Sequence, residues 1–370
     1  MKMRLPSLPA LGALFALALA PLAGKAQPLT AEPLTPAMKT EVIDGLLKNL
    51  QSDYVFPDKA TEAAGVIQTH VQAHDYDNVN SGEEFARLLT QHLRSVCKDA
   101  HLHVAFSPSA LPVRKRNDNP SPEEIQQQRL FEKRMNGGVE KVERLKGNVG
   151  YLEVRGFLDP KAAAQPIHAA MDFLANTDAL ILDLRRNGGG APETVRLLCS
   201  YLFDAEPVHL NDLYMREGNR TVEFWTLRSL PGHRYLNREV YVLTSKRTGS
   251  GAEECSYDLQ SLKRATIVGG VTWGGANPGH DYRLSDHFSA FIPGGRAINP
   301  YTHANWEGTG VTPDVVVAPE QALQTAHLQA LRHLQEKATT AEEKEFRAQS
   351  LEVVEAEYKS DKGQQALPQK

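Results

Sequence analysis

One stretch near the middle of the chain constrains the fold most, because it predicts a strand, a tight turn and a helix in direct succession. Residues 240–244 are apolar and largely β-branched or aromatic, which predicts a buried strand, and residues 245–249 have the composition of a turn. From Gly251 to about Leu262, apolar residues recur at helical spacing, so a helix is expected with Ser250 at its N-cap. A unit of this kind belongs to a sheet that is covered by helices.

Strand and helix patterns alternate along the second half of the chain. Strands are expected at residues 149–154, 179–183 and 265–269, and helices at residues 161–176 and 193–203. Such alternation is typical of a mainly parallel sheet, since parallel strands need a crossover connection between them. We therefore expect an α/β core over residues 147–320.

The first part of the chain has a different pattern. Three helical segments predict an N-terminal helical bundle domain within residues 27–106. Residues 107–146 mix proline, asparagine and charged residues, which predicts a linker or flap with a helix at residues 121–135. This segment is too short for a separate peptide-binding domain of about 80 to 100 residues. Residues 321–370 are expected to form a C-terminal helix and a charged tail.

The first 26 residues have the pattern of a secretory signal peptide. Lys2 and Arg4 precede an apolar run over residues 11–22, and small residues lead to an expected cleavage site before Gln27. The apolar run is shorter than the roughly 20 residues of a membrane-spanning helix. The sequence therefore predicts a periplasmic or secreted protein.

The composition limits the classes of partner. A formal net charge of −4 and an isoelectric point near 6.4 give no basic field for nucleic acid or an anionic membrane surface. The three cysteines, Cys97, Cys199 and Cys255, permit at most one internal disulfide in an oxidising compartment. The sequence does not indicate which pair would form it, and buried free thiols are equally compatible.

Ser250 has two interpretations. The N–H groups of the first helical turn have no partner within the helix, so they could stabilise an oxyanion beside a nucleophilic serine. The spacing of Ser250 and Glu253 also fits a capping box, which is purely structural. Thr248 and Ala252 occupy the outer positions of a G-x-S-x-G motif, which disfavours an ordinary α/β-hydrolase.

A short alternating segment places three polar residues together. Asp99, His101 and His103 would share one face of a strand. His101 and His103 fit a metal site, although two ligands are too few and no third is evident. They also fit a half-exposed edge strand, or a general base that is presented to another domain.

Two other loops are open to more than one interpretation. Glycines at 188–190 follow a predicted strand and fit either a tight turn or a close approach to a ligand, but they lack the phosphate-loop motifs. Glu307 lies in a glycine-rich turn, where a solvated carboxylate is the common case.

These features occur in an order that resembles the tail-specific and tricorn-type serine peptidases of the Clp/crotonase superfamily. The helical segment before His101 is similar to the N-terminal part of the repeats of interphotoreceptor retinoid-binding protein, a branch that lacks the central peptide-binding (PDZ) domain. The resemblance implies a spiral ββα core. It is carried by Asp99-x-His101, Gly150-Tyr-Leu152, the motif from Asp183 to Gly190, the turn from Thr248 to Glu253, and the segment from Trp306 to Asp314.

The resemblance also distinguishes between two kinds of catalytic base. Tail-specific proteases carry a dyad lysine in a Thr-x-Gly-Lys loop, whereas the matching loop here runs from Thr272 to Gly275 without a lysine. Tricorn-type peptidases use a histidine from the preceding domain and a late glutamate, which correspond to His101 and Glu307. Ser250 would then be the nucleophile, and no metal or organic cofactor would be needed.

The resemblance also implies an oxyanion hole and a class of substrate. The oxyanion hole is expected from the N–H of Gly251 and that of Gly188 or Gly189. The substrate would be a peptide or an unstructured protein segment. Because the retinoid-binding repeats use the same fold to hold an apolar ligand, a non-catalytic binder of a fatty acid or retinoid-like lipid is the alternative.

Overall fold

The structure, a computed structural model, describes residues 34–113 and 120–365, so the predicted signal peptide lies outside the described residues. None of the helices in these ranges is both long and apolar enough to span a membrane. The elements, in chain order, are α1 (Pro36–Asp53), α2 (Pro57–Gln72), α3 (Gly82–Cys97), β1 (His103–Phe106), α4 (Pro122–Arg134), β2 (Val139–Leu145), β3 (Val149–Val154), α5 (Pro160–Leu174), β4 (Ala179–Asp183), α6 (Pro192–Ser200), β5 (His209–Met215), β6 (Arg220–Trp225), β7 (Glu239–Thr244), α7 (Gly251–Ser261), β8 (Thr266–Gly269), β9 (Gly279–Arg283), β10 (Phe288–Pro293), β11 (Gly295–Ile298), β12 (Val315–Val316), α8 (Ala322–Lys337) and α9 (Ala341–Gln365).

A six-stranded sheet in the order β12-β8-β7-β4-β3-β2 forms the α/β core. All neighbouring strands are parallel except β2, which pairs antiparallel with β3 at one edge. Successive side chains of a strand face opposite sides, so Leu182 and Val242 pack against α5, α6 and α7, whereas Ile181 and Leu243 pack against α8. The predicted α/β class and the helix-covered parallel sheet are confirmed.

The N-terminal domain is not helical throughout. Helices α1, α2 and α3 share one apolar core, but β1 pairs with β10, which pairs in turn with β9, in a separate antiparallel sheet. Phe288 and Ile292 of β10 are buried in the same core as Leu46 and Leu89 of the helices. The domain predicted over residues 27–106 is therefore completed by strands from much later in the chain.

Two predicted boundaries differ from the structure. The segment 107–146 contains the predicted helix as α4, but it ends in β2, which extends the core sheet. Charged residues on an exposed edge hide the apolar signal of this strand. The expected charged tail is helical as α9, because Leu351, Val354 and Tyr358 pack into the apolar cluster beneath α8.

Helix α7, which begins after Ser250, is buried on nearly every side. It carries two buried carboxyl groups one turn apart, Glu254 and Asp258. Burial raises the pKa of Glu254 to about 8, and the nearby charge of Glu193 adds to the shift. Burial also raises the pKa of Asp258, with a further contribution from Glu254.

The raised pKa of Glu254 predicts a pH-dependent loss of stability. Below about pH 4.5 the carboxyl is neutral in both the folded and the unfolded chain, whereas between about 4.5 and 8 only the unfolded chain ionises it. The free energy of unfolding should therefore fall as pH rises through this window. Glu254→Gln should remove the contribution of Glu254 to this dependence, leaving that of Asp258, and should stabilise the protein at pH 7 by roughly 3 kcal/mol in urea unfolding.

The exposed Glu336 on α8 supplies the matched control. Glu336→Gln should leave the pH dependence of the unfolding free energy unchanged. Parallel curves for the wild type and Glu254→Gln from pH 4 to pH 8 would contradict the buried carboxyl as its source.

Candidate active site

Ser250 lies at the end of the turn after β7 in a backbone conformation that is unusual for a residue with a side chain. Its φ of 52° and ψ of −121° fall outside the regions that L-residues commonly occupy, at a cost of about 1–3 kcal/mol. The Ser250 N–H donates to the Glu253 carboxylate at 2.8 Å, and its carbonyl oxygen accepts the Glu253 N–H at 2.8 Å. The bond from the Ser250 N–H to Glu253 is one half of the capping box that the spacing suggested, and it holds the strained serine in place.

Gly189 packs directly against this turn. Its φ is +109°, and a methyl group added to it would lie 2.7 Å from the Ser250 Cβ and 2.8 Å from the Gly251 nitrogen. Only glycine permits this conformation and this approach together. The glycines at 188–190 therefore make a close backbone approach to Ser250 as well as a turn.

The backbone donors around Ser250 differ from the expected set in one respect. The N–H of Gly189 donates to Asn187 Oδ1 at 2.8 Å, so it is not available to an oxyanion. Within the ranges that the structure describes, the N–H groups of Gly188 and Gly251 have no protein acceptor. Of the two alternatives from the sequence, Gly188 is therefore the free donor, and Gly189 is corrected to a packing position.

Asn187 was missed at the sequence level. Besides accepting from Gly189, it accepts the Gly249 N–H on its carbonyl oxygen at 3.0 Å, and so ties the glycine loop to the Ser250 turn. An asparagine whose side chain accepts from the N–H two residues later is an Asx-turn. The asparagine directly before three glycines is the signal that could have indicated it.

Asp99 does not share a strand face with the two histidines, because β1 begins only at His103. Asp99 is buried, and its carboxylate accepts hydrogen bonds from the backbone and from two side chains. The donors are the His101 N–H (3.0 Å), the Leu102 N–H (3.3 Å), the Tyr54 hydroxyl (3.2 Å) and Asn277 Nδ2 (2.9 Å). Asp99 thus fixes the backbone that presents His101.

Glu307 bridges the two domains. One carboxylate oxygen accepts the Ala100 N–H at 2.8 Å and the other accepts the Ala276 N–H at 2.6 Å. Burial raises the pKa of Glu307 to about 7, with a further contribution from Asp99. Glu307 is therefore not the solvated loop carboxylate that its sequence context suggests.

His101 is the histidine that lies beside this carboxylate. One of its ring nitrogens, an oxygen of Asp99 and an oxygen of Glu307 are all within 4.8 Å of one another. Burial lowers the pKa of His101 to about 4, and His103 and Arg94 lower it further. His101 Nδ1 is buried and makes no hydrogen bond to the described residues.

His103 has a different environment. Its Nδ1 is hydrogen bonded to the His101 carbonyl oxygen at 2.7 Å, and its ring stacks on Phe291. It is absent from the group formed by His101, Asp99 and Glu307. The structure therefore does not assemble the metal site that the sequence allowed from His101 and His103.

Trp273 links His101 to the Ser250 turn and was missed at the sequence level. Its ring makes an edge contact with the His101 ring, with centroids 4.7 Å apart. A methyl group on Gly249 would lie 3.1 Å from Trp273 Cε3, so the indole also lies over the residue before Ser250. In the described part of the chain, no hydrogen bond joins the His101 ring to the Ser250 hydroxyl. Trp273 is 37% exposed, so the site is accessible to solvent at this residue.

Glu253 also holds the loop that carries Trp273. Its carboxylate accepts from Thr272 Oγ1 at 2.5 Å, from the Gly274 N–H at 2.6 Å and from the Gly275 N–H at 2.9 Å. One buried carboxylate therefore sets both the serine turn and the loop from Thr272 to Gly275.

Asp99, His101 and Glu307 are close enough to hold a metal ion in principle. Both oxygens of Glu307 and both oxygens of Asp99, however, already accept hydrogen bonds from surrounding N–H and O–H donors. A cation would have to displace these donors, which suit a negative charge. The arrangement fits a carboxylate that orients an imidazole better than it fits a metal centre.

The chain matches two models that describe one family. Residues 148–317 match peptidase family S41, and residues 35–138 match the N-terminal domain of peptidase S41 in eukaryotic IRBP. The chain therefore contains a peptidase family S41 domain, preceded by an N-terminal domain of the kind found in eukaryotic IRBP. The resemblance inferred from its motifs is confirmed, and the matches support a protease function.

A curated relative and several solved structures are similar to the chain. Carboxyl-terminal-processing peptidase 2, chloroplastic, of Arabidopsis thaliana is 27% identical over 177 residues, which are 45% of this chain and 31% of that protein. A protein from Parabacteroides merdae described as a peptidase has a TM-score of 0.57 at 18% identity, covering 82% of this chain and 99% of its own. Mature CPAF has a TM-score of 0.51 at 12% identity, and the match covers 77% of this chain and 94% of its own. At these identities the structures show a shared fold.

Because Gly189 packs against Ser250 and Gly188 does not, adding a methyl group should destabilise the protein much more at Gly189 than at Gly188. Gly189→Ala should lower the free energy of unfolding by about 2–4 kcal/mol, because the side chain is strained at positive φ and collides with the turn. Gly188→Ala is the control, since a methyl group there meets no heavy atom within 4 Å, and should change stability by less than about 1 kcal/mol. Equal costs in urea unfolding would contradict the packing described.

Proposed function

We propose that the protein is an exported serine peptidase that cleaves peptides or unstructured protein segments through an acyl-enzyme. The observation that carries this proposal is the strained Ser250 at the start of α7, packed against a glycine loop, with the N–H groups of Gly188 and Gly251 left free beside it. A backbone strain of this kind persists only where the surroundings hold it, and it is common at reactive sites.

Ser250 would attack the scissile carbonyl and transfer its proton to His101. A serine hydroxyl is a weak nucleophile near neutral pH and needs an adjacent base. With its pKa lowered to about 4, His101 is neutral at pH 7 and can accept that proton. Catalytic hydrogen bonds are often long before substrate binds, so we expect the His101–Ser250 contact to close with a peptide in place.

Glu307 would stabilise the imidazolium that forms during the attack. Its negative charge beside His101 offsets the cost of protonating a buried imidazole, in the way that the third member of a catalytic triad acts. This role requires the ionised form, which predominates above about pH 7.

The free N–H groups of Gly188 and Gly251 would bind the oxyanion of the tetrahedral intermediate. Each such donor contributes about 3 kcal/mol to transition-state stabilisation. Asn187 would act indirectly, by keeping the glycine loop against the serine turn.

The substrate would bind between the two domains, because His101 comes from the N-terminal domain and Ser250 from the α/β core. An extended peptide suits such a cleft. The acidic net charge argues against nucleic acid as a partner. Export rests on the sequence pattern of residues 1–26, and the proposed chemistry needs no metal or organic cofactor.

Labelling with a fluorophosphonate probe tests the nucleophile and its base. The wild-type protein should be labelled, whereas Ser250→Ala should not be labelled at all and His101→Ala should be labelled at least about 100-fold more slowly. His103→Ala is the matched control, because its ring is outside the group around Glu307. It should be labelled at a rate close to that of the wild type.

Two results would change the assignment. Loss of labelling in His103→Ala, with labelling retained in His101→Ala, would transfer the role of base to His103. A folded wild-type protein that is not labelled would favour the non-catalytic alternative, a binder of a fatty acid or retinoid-like lipid, which extraction and mass spectrometry of bound lipid would then test.

The pKa of Glu307 predicts the acid limb of the pH profile. Peptide hydrolysis, measured as kcat/KM, should rise as pH increases towards about 7, because Glu307 ionises there, whereas His101 is already neutral above about pH 4. Glu307→Gln should remove the limb near pH 7 and lower the plateau by about 100-fold or more. Glu320→Gln, at an exposed position, should leave the profile unchanged. A limb near pH 7 that persists in Glu307→Gln would exclude Glu307 as its origin.

A further inference from the structure

Two of the three cysteines meet in the core between α6 and α7. Cys199 Sγ and Cys255 Sγ are 3.7 Å apart, and both residues are fully buried. Cys97 is distant from this pair in the fold, since it ends α3 in the N-terminal domain and is only partly buried. The sequence alone left all pairings open.

The two thiols are close enough to be joined without a change of fold. A disulfide has a sulfur–sulfur distance of about 2.05 Å, so the sulfur atoms would need to approach by about 1.7 Å. We expect rotation of the cysteine side chains and a small shift of the two helices to supply this approach. No other side chain has to leave the space between the sulfur atoms, because they are already in contact.

We propose that Cys199 and Cys255 form a disulfide bond when the chain folds in an oxidising compartment. The oxidant is a small-molecule or protein disulfide. One cysteine thiolate attacks it and releases one thiol, and the second cysteine thiolate then attacks the mixed disulfide and releases the other thiol. Two protons are lost from the cysteines, and the external disulfide is reduced to two thiols.

The surroundings favour formation during folding rather than afterwards. The contact with Cys255 and burial raise the pKa of Cys199, and the neighbouring Glu254 raises it further, so the reactive thiolate is scarce in the folded chain. Once the bond exists, Glu254 and Asp258 lie buried beside it. Because both sulfur atoms are buried, a dissolved reductant has no access to the bond in the folded chain, which makes the bond resistant to reducing agents.

The position of the bond relates it to the candidate site without depending on the proposed reaction. Helix α6 follows the glycine loop at 188–190, and α7 follows Ser250. A bond from Cys199 to Cys255 would join these two helices behind the two loops that pack together at the site. It would also close a loop of chain that contains β5, β6 and β7.

Mass spectrometry of the refolded protein tests the proposal. The full chain is reduced and unfolded, refolded in a mixture of reduced and oxidised glutathione, and then unfolded again and alkylated without a reductant. We expect one alkylated cysteine, Cys97, and a peptide pair that is crosslinked between Cys199 and Cys255. Alkylation of all three cysteines, or a bond that includes Cys97, would overturn the proposal.

Cysteine variants and a melting curve provide two further tests of the disulfide bond. Cys97→Ser should retain the crosslinked pair and contain no alkylated cysteine, whereas Cys199→Ser should contain two. The oxidised wild-type protein should melt at least about 5 °C above the same protein refolded with a reductant, because the bond restricts the unfolded chain. This comparison uses one sequence, so it does not depend on whether a cysteine variant folds.

Discussion

The close contact between Gly189 and the Ser250 turn is the constraint on which the rest of the site depends. Strands β4 and β7 are parallel neighbours, so the loops that leave their carboxyl ends emerge side by side. Asn187 ties these loops together through the N–H groups of Gly189 and Gly249, and the absence of a side chain at Gly189 lets the two backbones touch. The contact brings the Gly188 loop beside the strained serine and the start of α7. A serine in an ordinary turn at the same sheet edge would not be held in this way.

The carboxylates of two glutamates hold the other parts of the site in place. Glu253 accepts four hydrogen bonds and holds both the serine turn and the loop that carries Trp273, while Glu307 accepts one N–H from each domain. Burying such groups is costly, which is why the pKa of each is raised, and the surrounding N–H donors offset part of that cost. The interface between the domains is therefore polar at the point where His101 enters the site. A change at either glutamate should disturb geometry and protonation together.

The sequence predicts those features of the structure that depend on residues close together in the chain. The strand, turn and helix around Ser250, the parallel order of the core and the separate helical segment are all local patterns, and the structure contains them. Contacts between distant residues could not be derived in this way, including the pairing of β1 with β10 and the approach of Glu307 to Ala100. The choice of Gly188 over Gly189 depends on one hydrogen bond, which the Gly189 N–H donates to the Asn187 side chain and which spacing does not reveal. Only the motif order, read as a family resemblance, pointed to His101 and Glu307 as a pair.

A crystal structure with a peptide boronic acid bound would test Ser250 as the nucleophile and the oxyanion hole beside it, because this reagent forms a tetrahedral adduct with an activated serine and imitates the transition state. We expect a covalent bond from boron to Ser250 Oγ. We also expect one boronate oxygen within about 3 Å of the Gly188 and Gly251 nitrogens, and His101 within hydrogen-bonding distance of the adduct with Glu307 behind it. An adduct whose oxygen faces away from both nitrogens, or a peptide that binds without bonding to Ser250, would contradict this site.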